Sequence, residues 1–554
     1  MPLLPAERKA DASRGTTFAF NTVALWLLLV APFVVFLGRH QYSLLNPEIA
    51  LCLGIAAALA LVVAGMAQRP GLRVLALSLA AGLAVDAQFD QFGAREITAA
   101  AALVAGLGWV LRDHLARIVA VTGLAFLTST LLLERTPQPT EALLAGGNDK
   151  RPFVLHVVLD EHIGLTGLPH GAKYDASLER LKSFFDRRGF QRFTDAYSEY
   201  FWTRYIFSQM LNFSNGRYTP GLFRVGRNAR FELVENRYFS RVAKQGYSIN
   251  VFQTTYLDVC PDPRTVAHCE SYDYAGIREL QYSQLDWKGR LHAVSAAYVT
   301  RYFFYDPLRR RAGRFLRDNA NRQWLPGWVA NSIRALPSFL SAPPSEHYAP
   351  VATRVLIDRL IAAVSGARRG QYVFAHLMLP HYPYVFRPDC SFRPPFEWNV
   401  RTDPDAPPRR SNTPEGREAR YVQYLDQVEC LYKDLDRLLD AIPTELQQDA
   451  VVIVHGDHGS RINIVAPDPE RARPLTATDL RDAYSTLFAV RSPAVPAGED
   501  ERRVAIGCML TALVESEFTS ASPNPLCNAE HTVFEVPWQP EVIAATAVAA
   551  TYPP

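Results

Sequence analysis

Apolar residues crowd into the first 135 positions of this 554-residue chain, and that unevenness constrains the fold before any motif does. Five apolar segments can be drawn there: Phe18–Leu37, Ile49–Ala67, Val74–Ala87, Ile97–Leu111 and Ile118–Leu133. Several lie near the lower length limit for crossing a hydrocarbon core of about 30 Å. Arg8, Lys9 and Arg14 precede the first; Arg69 and Arg73 separate the second from the third; Arg112 and Arg117 separate the fourth from the fifth. The opposite connections hold only Arg39 and Arg95, with Asp86, Asp90 and Glu96 nearby. Basic loops stay on the cytoplasmic side, so the N-terminus is expected there, and an odd number of spans exports everything after residue 135. Four apolar segments follow the first, and no small-residue cleavage site stands out, which argues against a removable signal peptide. The expectation is a five-helix transmembrane bundle over residues 1–135. The chain would be a multi-pass protein of the inner membrane with the bilayer as its first partner.

The remainder has the composition of a water-soluble protein. Its length calls for a separate unit. The formal net charge of the whole chain, +3, gives no basis for nucleic acid as a partner. Of seven cysteines, Cys52 falls in the second apolar segment; Cys260, Cys269, Cys390, Cys430, Cys508 and Cys527 all lie in the exported part. An even number on the oxidising side suggests disulfides. The expected pairs are Cys260–Cys269, Cys390–Cys430 and Cys508–Cys527, although connectivity is not fixed by sequence. Residues 136–152, TPQPTEALLAGGNDKRP, are rich in proline, glycine and polar groups and form a linker. The soluble domain is expected over 153–554.

Within it, Ala450–Val454 is an apolar run, mostly β-branched, of the kind buried on both faces in a parallel sheet. Phe153–Leu159 has the same character, and Gly246–Thr255, Gln371–Leu379 and Ser485–Val490 are further strand candidates. Helical patterns over Ala352–Ser365 and Arg417–Ile442 lie between them. Strands alternating with helices predict an α/β domain, a mostly parallel sheet with helices on both faces. Residues 301–334 are basic and aromatic, with Arg309, Arg310, Arg311, Trp324 and Trp328. They fit a solvated surface helix, with a helix lying on anionic headgroups as the alternative.

Chemistry gathers where these strands end. Asp160 and Glu161 follow the Phe153–Leu159 run; Asp457 and His458 follow the Ala450–Val454 run, flanked by Gly456 and Gly459; His376 and His381 flank the end of another strand. Open α/β sheets bind ligands at the carboxyl edge of their strands. Carboxylate and imidazole are good ligands for a borderline divalent ion such as zinc. Thr203, inside Tyr197–Asn212 where a helix starts, would add a hydroxyl that a metal could activate, with Ser198 and Ser208 as competitors. The bland alternatives are that Asp160 and Glu161 cap a helix and that His376 is a hydrogen-bonded core histidine.

The set Leu159-Asp160-Glu161, the Thr203 segment, His376-x4-His381-x-Pro and Gly456-Asp457-His458-Gly459, in this order behind five apolar segments, resembles the alkaline phosphatase/sulfatase superfamily. The likeness is to its membrane-anchored phosphoethanolamine and phosphoglycerol transferases. The resemblance implies zinc or manganese bound by Asp160, Thr203, Asp457 and His458, with Glu161 as a further candidate ligand. It also implies a covalent intermediate on Thr203, a phospholipid donor, an envelope glycan or lipid acceptor, and substrate binding by His376 and His381. The catalytic domain would then face the periplasm or cell exterior. Three departures mark this chain: Asp160 stands where the transferases usually have glutamate, no histidine follows between Arg461 and Pro474, where the phosphoethanolamine enzymes have one, and the Thr203 segment lacks the Gly-Thr and Ser-Val-Pro residues of those enzymes. The competing functions are a membrane-bound sulfatase- or phosphatase-type hydrolase and a non-catalytic scaffold. Cys260-Pro-Asp-Pro-Arg264 is a near match to the formylglycine motif of true sulfatases, with its proline one position out.

Overall fold

The computed structural model describes residues 6–66, 144–148, 150–226, 230–274, 277–302, 348–393, 414–469, 474–537 and 547–553, with isolated positions between 71 and 128 and at 398. Packing divides the chain into two units, one of residues 1–139 with 276–344, the other of 140–275 with 345–554.

In the first unit, α1 (Ala6–Arg39) and α2 (Pro47–Met66) carry the first two apolar segments. Phe18–Arg39 and Pro47–Met66 are each long and apolar enough to cross a membrane. The expected segments Val74–Ala87, Ile97–Leu111 and Ile118–Leu133 fall mostly outside the described residues, so two apolar helices stand where five were expected. Of the 301–334 stretch, all beyond Tyr302 is likewise outside. The helix Trp287–Tyr302 packs with α1 and α2 although it is far away in sequence. Arg290 Nε lies 2.9 Å from the buried Glu48, and the Tyr298 ring meets Phe33 at 5.0 Å, edge to face.

The second unit is organised by an eight-stranded sheet: β1 (Val154–Leu159), β2 (Gln191–Tyr197), β3 (Ser248–Thr254), β4 (His268–Tyr272), β5 (Gln371–Leu377), β6 (Val451–Gly456), β7 (Phe488–Arg491) and β8 (Gly498–Ala505). Their order across the sheet is β8-β2-β7-β6-β1-β5-β3-β4. Every pairing is parallel except those of β7 with β6 and β2. Thus β1, the centre, is flanked by β5 and β6, the two other strands that end in candidate site residues. All residues of β1, β5 and β6 are buried, as their mostly apolar character predicts, and the burial extends to His156, Gln371, His376 and His455.

On one face, Val154, Val158, Tyr372, Phe374, Val451 and Ile453 join a core with side chains from α3 (Thr203–Met210) and the helices Arg237–Lys244 and Ile506–Glu515. The intervening Leu155, Val157, Val373 and Val454 are buried on the other. The helices Ala172–Arg187 and Ala349–Val364 pack there against α4 (Pro414–Asp440). The α/β expectation therefore holds, with one antiparallel strand. Sequence reading missed β2, β4 and β8 because these strands, at or near the sheet edges, carry charges; β8 begins Gly-Glu-Asp-Glu-Arg-Arg, a composition that discourages edge-to-edge pairing. The three expected disulfides form, Cys260–Cys269, Cys390–Cys430 and Cys508–Cys527, and Cys52 is a free thiol.

Candidate active site

The parallel ladders run one residue past the ends of β1 and β6. Asp160 N donates to Leu377 O at 2.9 Å and Asp457 N to Leu159 O at 3.3 Å, which holds the two aspartates side by side at the carboxyl edge. The glycines around Asp457 and His458 are there for want of room. A Cβ on Gly456 would meet Thr486 Oγ1 at 2.3 Å and His162 O at 2.5 Å; one on Gly459 would meet Asp482 O at 2.1 Å. The Gly-Asp-His-Gly sequence is thus a chain pressed against its neighbours while its two polar side chains turn to the site. Asp457 Oδ1 accepts from Glu161 N (3.1 Å) and His458 N (2.8 Å), which fixes the carboxylate.

Thr203 is the first residue of α3, at the positive end of that helix's dipole. Its Oγ1 lies 3.4 Å from both Asp160 Oδ2 and His458 Nε2. The competitors are engaged elsewhere: Ser208 Oγ donates to Tyr205 O and Ser198 Oγ to Tyr200 O. His458 Nδ1 lies 2.7 Å from Gly459 O, so it carries the proton and leaves the Nε2 lone pair directed at the site. From Nε2 it is 3.5 Å to Asp457 Oδ2 and 3.9 Å to Asp160 Oδ1. Those two oxygens are buried and have no hydrogen-bond partner. Buried acceptors rarely go unpaired, and when they do a missing ion is one of the standard reasons.

The donor set fits a metal. Asp160, Asp457 and His458 present ligand atoms within 4.8 Å of one another. A tetrahedral zinc with bonds of about 2.0–2.2 Å sets its ligands about 3.3–3.6 Å apart, close to the separations seen here. The electrostatics agree. Burial and the neighbouring Asp160 raise the Asp457 carboxyl above its ordinary range. Burial works against the charge on Asp160 too, but His381, His376 and His458 outweigh it and hold this group well below the usual carboxylate range. Two buried carboxylates facing one space call for a cation between them.

The remaining predicted residues divide. His376 Nε2 lies 3.2 Å from Asp160 Oδ2, with its ring 4.6 Å from Phe207. It braces the carboxylate from the core side, the usual place for a group that orients a metal ligand. His381 hydrogen-bonds through Nδ1 to Tyr382 O, and its Nε2 is 3.4 Å from Glu161 Oε1. Glu161 is fully buried with φ at 62°, a left-handed conformation that a non-glycine residue holds only under constraint from its surroundings. Two residues that sequence reading did not single out complete the site. Arg461 Nε sits 2.8 Å from Glu161 Oε1, its guanidinium 5.2 Å from the Trp202 ring centre. Gln427, on α4, accepts from Val385 N and donates to the carbonyls of Pro380, His381 and Pro383, which fixes the loop carrying His381. Arg461 could have been noticed as a cation three residues beyond His458; nothing in the sequence around Gln427 marks it.

No family model matches the chain, and no curated protein sequence matches it. Solved structures do. It is similar to a 2-O GAG sulfatase (14% identity over 68% of this chain and 74% of that one, TM-score 0.36) and to the phosphonate monoester hydrolase of Silicibacter pomeroyi (16%, 70% and 79%, TM-score 0.36). It is also similar to the C-terminal periplasmic domain of EptC from Escherichia coli (12%, 74% and 96%, TM-score 0.36). At these identities the likeness is one of fold alone.

Proposed function

We propose that this protein is a membrane-anchored, metal-dependent transferase. It moves a phospho-headgroup, phosphoglycerol or phosphoethanolamine, from a phospholipid to an envelope glycan or lipid through a covalent intermediate on Thr203. One observation carries the reading: Thr203 Oγ1, Asp160 Oδ1, Asp457 Oδ2 and His458 Nε2 come together from four separate parts of the chain, two of them buried oxygens without partners. A scaffold would have no reason to keep such a costly arrangement.

Zinc or manganese held by these four groups would lower the pKa of the threonine hydroxyl and neutralise a phosphoryl oxygen. The protein does the rest. The α3 N-terminus places the hydroxyl and favours the negative charge that follows its phosphorylation. As the Oγ1–P bond forms, the P–O bond to diacylglycerol breaks and the threonine proton leaves overall with the diacylglycerol hydroxyl. An acceptor hydroxyl then displaces Oγ1 from phosphorus and returns the proton to it. The Nε2 of His381, whose Nδ1 is bonded to Tyr382 O, is the group placed to exchange a proton in either step. The formylglycine route of a true sulfatase has no residue here, because Cys260 is bonded to Cys269.

Incubation with a labelled phospholipid, followed by mass spectrometry of the Thr203 peptide, tests this. The expected result is a headgroup phosphate on Thr203 that disappears when an acceptor is added. Continuous release of free headgroup without any acceptor would point to hydrolysis instead. The lipids and glycans of a deletion strain should lose the modified acceptor.

A further inference from the structure

We infer that Arg461 is a built-in cation standing in the place of a second metal, so that this centre takes one divalent ion and not two. The inference rests on the metal reading proposed above. Asp160, Glu161 and His381 also bring ligand atoms within 4.8 Å of one another, a second ligand set that shares Asp160 with the first. What faces that set is a guanidinium. Arg461 Nε is 2.8 Å from Glu161 Oε1, and Nη1 is 3.4 Å from His381 Nε2. The Trp202 ring, next in sequence to Thr203, lies under the guanidinium at 5.2 Å.

Charge shows why a second divalent ion is excluded. Asp160, Glu161 and Asp457 are three fully buried carboxylates. A guanidinium, which stays protonated in proteins, and one divalent ion neutralise them. A second divalent ion would leave two uncompensated positive charges among fully buried groups, which burial penalises. Arg420, the next cation along, is turned onto the rings of Tyr382 and Tyr384, at 5.2 and 5.7 Å. Glu161 is then the counter-ion of Arg461 and not a ligand of the bound metal. It is held by Arg461 on one side and by Tyr382 N, 3.3 Å from Oε2, on the other.

The test is metal stoichiometry of the full-length, detergent-solubilised protein after saturation with zinc and desalting, measured by elemental mass spectrometry. The wild type should carry one equivalent, Arg461→Lys one and Arg461→Ala two, since removing the fixed charge opens the Asp160–Glu161–His381 set. Glu161→Gln should still carry one. Two equivalents in the wild type, or one in an Arg461→Ala protein that melts cooperatively, would overturn the inference and leave the proposed function standing. Loss of the metal from Glu161→Gln, which reports even if the alanine variant does not fold, would overturn it by making Glu161 a ligand. A wild type that binds no zinc takes the proposed function down and this inference with it.

Discussion

Two buried polar clusters share strands β1 and β6 and the same face of the sheet, and they behave in opposite ways. In mid-strand, His156 Nε2 and His455 Nε2 lie 2.8 Å apart. His455 Nδ1 is 2.7 Å from Gly456 O and so carries its proton there; its Nε2 pairs with His156 Nε2, and His156 Nδ1 pairs with Tyr372 Oη at 2.6 Å. Every ring nitrogen has a partner. Two residues beyond His455, and four beyond His156, stand Asp457 and Asp160, where oxygens are buried and unpartnered. In the first cluster every ring nitrogen is paired as the chain folds; in the second, Asp160 Oδ1 and Asp457 Oδ2 have no hydrogen bond. Burial does not distinguish the two clusters, but hydrogen-bond satisfaction does.

The largest effect should come from Thr203→Ala. Turnover should fall on the order of 10³-fold or more, with loss of any phosphopeptide, while the melting temperature barely moves because the hydroxyl's contacts are long. Asp457→Asn comes next and pulls two readouts apart. Zinc affinity should drop on the order of 100-fold or more. The metal-free variant should melt higher than metal-free wild type, since it loses a carboxylate that burial and Asp160 disfavour while keeping the Oδ1 acceptor. A metal-free Asp457→Asn that melts lower would place that carboxylate in the structural class and break the contrast. His455→Leu should do the reverse: a loss of about 1–3 kcal/mol from the ring nitrogen of His156 left without its partner, with zinc stoichiometry unchanged. In the double variant His156→Leu/His455→Leu the cost should be less than the sum, because no nitrogen is left without its partner.

How much of this was legible in the sequence depends on where each residue stands. Asp160, Asp457 and His458 could be placed because each follows a mostly apolar, largely β-branched run, broken only by His156 in one and by His455 and Gly456 at the end of the other, and such a run reads as a buried strand whose end opens on the sheet edge. Thr203 was one hydroxyl among three, since a short helix offers no periodicity to say which side chain faces the strands. His376 could be read as a site residue but not its direction; the register Val158–His376 turns it onto Asp160. Arg461 lay in an irregular loop, where the chain's path is set by tertiary contacts that no local pattern encodes. The same holds for the helix Trp287–Tyr302, whose packing with α1 and α2 depends on Glu48 and Arg290, 242 residues apart.

The smallest effect, and the one that sharpens the contrast most, is the dependence on pH. Burial lowers the His455 pKa from its ordinary value to about 4, and lowers that of His156 further, with the neighbouring His455 adding to it. A proton added to this pair would set one N–H against another. Above about pH 6.5 the pair is neutral in both folded and unfolded chains and contributes no slope. Between about 6.5 and 4 the unfolded chain takes up protons that the folded chain refuses, so stability falls with falling pH, and for His455 the loss levels off below about 4. Other buried groups slope the other way: Glu199, which burial pushes up to about 8, is destabilising when charged, so its share of stability is present at low pH and lost as pH rises through about 8. The wild-type curve is therefore a sum of opposed terms, and the difference from His156→Leu/His455→Leu isolates the pair. That difference, measured by denaturant unfolding of the metal-free protein, should be flat above pH 6.5 and should favour the double variant increasingly below it. A flat difference down to pH 4 would mean that the mid-strand histidines take protons in the folded state, and the claim that this cluster is closed would fail.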